Sequence, residues 1–137
     1  MLSETAKKYY SEQNRNCAEA MLLAANEEYG LGIDAEAVKL VGGFGGGMGC
    51  GRACGALCGG IAAIGKACIG EKAHSSPQAR AYCAQFARAF VDTLGSDQCE
   101  ELKATYMQDD VRCARAVELG AQVLEEVFGQ IRVAGSV

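Results

Sequence analysis

Residues 42–70 read GGFGGGMGCGRACGALCGGIAAIGKACIG, and the fold turns on how this stretch divides. Its first eight residues, Gly42 to Gly49, contain six glycines. So glycine-rich a segment is a loop that adopts positive φ or lets another group come close to the backbone. From Cys50 onward Cys54, Leu57, Cys58, Ile61, Gly65 and Cys68 recur at helical spacing, which predicts a helix over about residues 50–69. Gly51, Gly55 and Gly59 lie four apart and draw a bare stripe along it. Each interior glycine costs about 1 kcal/mol relative to alanine. Repeating that cost implies a close neighbour: a second helix, a cofactor or a second copy of the chain. A homodimer is one reading the stripe leaves open.

Outward from this core the remaining signals are also helical. A first helix is expected over about residues 3–13. Asn16 and Glu19 form a capping box at the start of a helix from Cys17 to about Tyr29, which Gly30 ends. Asp34 caps a short helix, Ala35 to Val41, leading into the glycine loop. After a polar linker, Ser76 as N-cap and Pro77 as first helical residue open a helix carrying Cys83, Phe86, Ala87, Phe90, Val91 and Leu94 on one face. Asp97 with Glu100 starts another helix, with Cys99 in its first turn. Asp109 or Asp110 caps the last, which lines up Cys113, Val117, Gly120, Leu124 and Phe128 before Gly129 closes it. No alternating run is flanked by turn signals. The expectation is an all-α fold: one domain over residues 1–137, a compact bundle of five to seven helices around the Gly/Cys-rich helix.

Composition narrows the function. The 137 residues are 50% apolar and 7% aromatic, with net charge -4 and no basic run, which argues against a nucleic-acid surface. No unbroken apolar segment reaches 18 residues, so no membrane span is expected. The polar start MLSETAKKYYSEQ lacks a signal-peptide pattern. Eight cysteines in such a chain point to a reducing, cytoplasmic setting, where thiols are buried, metal-binding or catalytic rather than paired.

The cysteine spacings exclude more than they assign. There is no C-x-x-C, and therefore no thioredoxin-type motif, no paired zinc-ribbon ligands and no c-type haem attachment. Ferredoxin spacings are also absent. The glycine loop offers neither G-x-G-x-x-G nor G-K-[ST]. His74, the only histidine, sits in a polar linker and reads as solvated. The helix positions say more. Cys17 falls at N1, Cys99 near N2 and Cys113 near N3 of their helices, and Cys54 follows the glycine loop. Unpaired N–H groups and the helix dipole favour a thiolate there and lower its pKa. Such thiolates either attack or bind metal. Cys68 and Cys83 share faces with Ile61 and Phe86 and read as packed, inert thiols. Cys50 and Cys58, in line with Cys54 on the expected helix, stay undecided.

These residues carry a resemblance. CGALCG at Cys54 to Gly59 matches a CGAxxG motif, Cys17 within NCAEA matches a leading cysteine, and Cys99 and Cys113 match two trailing ones. With GGFGGGMG before the motif, the chain resembles the C_GCAxxG_C_C proteins along essentially its whole length. The resemblance implies a redox role. A similar domain in split-Soret-type cytochromes is associated with an iron–sulfur centre. On this basis Cys17, Cys54, Cys99 and Cys113 are expected to bind an iron–sulfur cluster, most simply [2Fe–2S], in an electron-transfer protein with a redox partner the sequence does not name. Whether the chain is an enzyme stays open: thiol–disulfide chemistry by a low-pKa cysteine and a structural metal-binding module are the alternatives.

Overall fold

The computed structural model describes residues 1–135. Among them seven α-helices follow in order: α1 (Leu2–Ser11), α2 (Cys17–Tyr29), α3 (Ala35–Gly42), α4 (Gly55–Cys68), α5 (Pro77–Leu94), α6 (Cys99–Tyr106) and α7 (Ala114–Val133). No strand is present among the described residues, only two isolated antiparallel bridges. The all-α expectation holds, and no helix is long and apolar enough to cross a membrane.

Local sequence explains most helix boundaries. The Asn16 side chain accepts the Glu19 N–H at 3.0 Å, and the Glu19 carboxylate accepts the Asn16 N–H at 3.1 Å. Gly30 ends α2 in the left-handed region at φ 62°. Asp34 caps α3 by accepting the Ala37 N–H at 2.8 Å. Ser76, expected to cap α5, makes no capping bond; its Oγ accepts the Gly70 N–H at 3.1 Å and folds the linker back instead.

Four boundaries differ from expectation. The central helix begins at Gly55 rather than Cys50. Gly47–Gly51 forms a wide turn in which Met48, Gly49 and Gly51 all have positive φ, and the chain is then pulled straight by pairing with residues 97–99. Cys50 therefore does not share a helix face with Cys54 and Cys58. The same pairing makes Gln98, not Asp97, the N-cap of α6. Helix α7 starts after Cys113 rather than at Asp109 or Asp110. Reciprocal bonds between Gln108 and Arg112, with Arg112 at φ 52°, spend those aspartates in a small turn. Helix α7 also runs through Gly129, because fully buried Ile131 anchors the turn beyond it.

The packing is organised on α4. Its most extensive neighbour is α2, with α5 and α7 against its other sides; α1 closes the bundle over α2 and α7. Large side chains fill the far side of the core, where Phe86 meets Phe90 edge-on at 5.9 Å and Tyr29 stacks on Phe128 at 4.2 Å. Toward α2 there is no room for side chains. A Cβ on Gly55 would overlap Cys17 Sγ, and one on Gly59 would overlap the Ala18 carbonyl. The close neighbour expected from the glycine stripe is thus α2 of the same chain. Gly51 lies outside the stripe, facing Glu100 from the turn.

This geometry separates glycines that sequence alone treats alike. Gly59→Ala should lose about 1–3 kcal/mol, because backbone must move to admit the methyl group. Gly65→Ala meets nothing nearer than Ile69 Cδ1 at 3.7 Å and should gain about 0.5–1 kcal/mol through helix propensity. Urea unfolding of the two variants measures both signs.

Candidate functional site

The four expected cysteines all stand at helix starts. Cys17 and Cys99 are the first residues of α2 and α6, and Cys54 and Cys113 are the N-caps of α4 and α7. Two devices draw these starts together. The first is the close α2–α4 approach at Gly55. The second is the bridge pairing Ala53 with Gln98, in which Cys54 N–H donates to Asp97 O at 2.8 Å and Cys99 N–H to Arg52 O at 2.6 Å. The glycine turn completes the assembly: Gly47 lies so close to Cys99 that a Cβ there would overlap the Cys99 side chain. The Asn16 amide donates to Gly42 O at 2.9 Å and ties the turn to the start of α2.

The result is a cavity of about 200 Å³ lined by Cys17, Cys99 and Cys113 together with Tyr10, Asn16, Gly46, Lys103, Met107 and Arg112. Three of the four expected cysteines therefore meet on one space. Cys54 is buried just behind it, close enough for the charges of Cys17 and Cys99 to act on its thiol. Cys58 lines a separate apolar groove with Val41, Phe44, Leu57, Ile61 and Ala62, although the charge of Cys17 also reaches its thiol. Cys50 is exposed on the glycine turn, Cys68 is buried in the core and Cys83 is half-buried against it. All eight thiols are free. His74 is exposed, in a short turn at Ala73–Ser75.

The electrostatics are one-sided. Lys103 and Arg112 line the cavity, no carboxylate does, and neither cation joins an ion pair among the described residues. Even so, the expected lowering of thiol pKa is overturned at Cys54, Cys99 and Cys113. Burial pushes the Cys54 thiol up to about 12, against the pull of the Leu57 and Ala56 N–H groups, which fall short of capping geometry. Burial likewise raises Cys99 and Cys113, with Lys103 opposing it at both and Arg112 at Cys113. Desolvation outweighs the helix starts at these three sulfurs.

Tyr10, Lys103, Met107 and Arg112 are site residues that sequence reasoning missed. Lys103 lies one turn after Cys99, and Arg112 precedes Cys113, but nothing local marks either as facing a cavity. The Cys113 thiol donates to Met107 Sδ at 3.6 Å, so a thioether adjoins the thiols. The donor set is rich in sulfur and free of carboxylate. Among the described residues, however, no three Cys, His, Asp or Glu side chains gather tightly enough to hold a single metal ion.

The raised Cys54 value has a measurable consequence. Below about pH 9 the folded and unfolded chains both keep the proton, and the stability is fully present. Between about 9 and about 12 the unfolded chain ionises while the folded one cannot, so stability falls. Reduced, metal-free protein should show a urea midpoint that drops across this range, and Cys54→Ala should flatten the drop. Tyr29, also raised to about 12 by burial, leaves a residual slope in that variant.

No curated protein and no solved structure matches the chain. A family model described as "Putative redox-active protein (C_GCAxxG_C_C)" matches residues 15–127, a span that takes in all four helix-start cysteines, the glycine turn and α4. The chain belongs to the C_GCAxxG_C_C family.

Proposed function

We propose that this chain is an electron-transfer protein whose cavity holds an iron–sulfur cluster, most simply [2Fe–2S], through Cys17, Cys99, Cys113 and the adjoining Cys54. The observation that carries this reading is the meeting of Cys17, Cys99 and Cys113, from three separate helix starts, on one cavity without carboxylates. Thiolates are the usual ligands of such clusters, which supply one-electron transfer when bound. Helix-start N–H groups, Lys103 and Arg112 would offset the negative charge of thiolates and sulfide.

The raised thiols favour this reading over nucleophilic thiol–disulfide catalysis. Attack requires a ready thiolate, whereas Cys54, Cys99 and Cys113 hold their protons. A metal can displace protons that neutral pH does not. The structural metal module is less favoured, since no mononuclear site is gathered among the described residues.

The test is iron, sulfide and zinc analysis of protein prepared without oxygen. Iron and acid-labile sulfide in equal amounts, with visible absorption, are expected. Cys17→Ser, Cys99→Ser and Cys113→Ser should each lower both several-fold in protein that keeps its helical circular dichroism. Cys68→Ala and Cys83→Ala should leave them unchanged, at a stability cost of about 1–2 kcal/mol. Colourless protein without iron or sulfide, or with zinc alone, contradicts the proposal.

A further inference from the structure

Tyr10 joins the cavity from α1, a helix that lies before the residues matched by the family model. Its side chain is unusually well fixed for a residue so near a chain end. The residue is only 6% exposed. The Arg112 guanidinium lies over the ring, 4.3 Å from its centroid, and also donates to the Tyr10 carbonyl at 3.1 Å. The phenol oxygen accepts the Cys113 N–H at 3.2 Å.

That last bond decides what the hydroxyl can do. With its oxygen receiving a backbone N–H, the phenol still has its own proton to give. No side-chain hydrogen bond among the described residues takes it: the phenol oxygen appears in them as an acceptor only. Burial pushes the phenol up from its ordinary value, so the proton stays on oxygen at neutral pH. A buried donor without an acceptor is costly. Cys17 from α2 and Cys113 from α7 line the same cavity as Tyr10, and their charges raise the phenol while that of Arg112 opposes them. Lys103 and Cys99 from α6 complete the lining. The Cys113 thiol proton is directed to Met107, which leaves its sulfur lone pairs free to accept.

We infer that Tyr10 is a positioning residue of the redox site: it holds the Cys113 backbone through its oxygen and donates its hydroxyl proton to a cavity sulfur, Cys113 or Cys17. This rests on the reading of the cavity as a thiolate-held redox centre. Helix α1 then forms part of the site and not merely a cover over the bundle. A hydrogen bond to a ligand sulfur draws charge from it and stabilises the reduced state. Removing the bond makes reduction harder.

Two measurements test this, and one needs no cofactor. In metal-free wild-type protein, the Tyr10 hydroxyl proton should be visible by NMR and exchange with water many-fold more slowly than a free tyrosine hydroxyl, with cross-peaks to the Cys113 or Cys17 β-protons. Fast exchange without those cross-peaks overturns the inference, whatever the protein binds. In reconstituted protein, Tyr10→Phe keeps the ring and its stacking on Arg112. It should retain the wild-type iron and sulfide content but shift the reduction potential to a more negative value. An unchanged potential at full iron content also overturns it. Wild-type protein that assembles no cluster overturns the proposed function instead, and the hydroxyl measurement still decides the role of Tyr10.

Discussion

The structure depends on the absence of two side chains. Gly55 and Gly59 let the backbone of α4 lie directly on the start of α2, against Cys17 and Ala18. Hydrophobic burial alone would not choose this pairing, since larger residues would bury more apolar surface and hold the helices farther apart. The glycines give up helix propensity, about 1 kcal/mol each, for proximity. That proximity is what puts Cys17 beside Cys54, and the rest of the site is arranged around the pair. The large residues, Phe86, Phe90 and Phe128, sit on the opposite side of the core and supply the burial that the glycines do not.

A second constraint works at right angles to the first. The glycine turn at Gly47–Gly51 reverses the chain through left-handed conformations, so that Arg52–Cys54 can pair with Asp97–Cys99. Two backbone hydrogen bonds then hold the starts of α4 and α6 side by side. Backbone pairing of this kind fixes position more tightly than side-chain packing, because it leaves no rotamers to choose among. Cys113 is placed more loosely, by Tyr10 and by the small turn that ends at Arg112. The combination is a floor of Cys17 and Cys99, with Cys54 buried behind it and a side wall drawn from α1 and α7.

How much of this was legible in the sequence follows from the range of the forces. Capping boxes, Pro77 and the 3.6-residue pattern act within a few residues, and they foretold α2, α3 and α5 closely. The start of α4 was placed five residues early, because Cys50 and Cys54 keep helical spacing although their backbone is claimed by a segment over forty residues away. The start of α7 shifted for a local reason instead, with Asp109 and Asp110 spent in the turn closed by Gln108 and Arg112. Placing four cysteines at helix starts needed only local signals, whereas the sign of the pKa shifts at Cys54, Cys99 and Cys113 needed burial, which no spacing reveals. Tyr10 was invisible for the same reason: its role comes from Cys113, 103 residues along the chain.

The central claim is that cysteines from separate helix starts share one redox centre. The measurement that bears on it most directly is an anaerobic crystal structure of freshly purified protein, with anomalous data collected at the iron edge. The account predicts strong anomalous density in the cavity bounded by Cys17, Cys99 and Cys113, within bonding reach of their sulfurs and of Cys54. Iron located elsewhere on the chain, or a cavity without anomalous density in crystals of protein shown to contain iron, would contradict it.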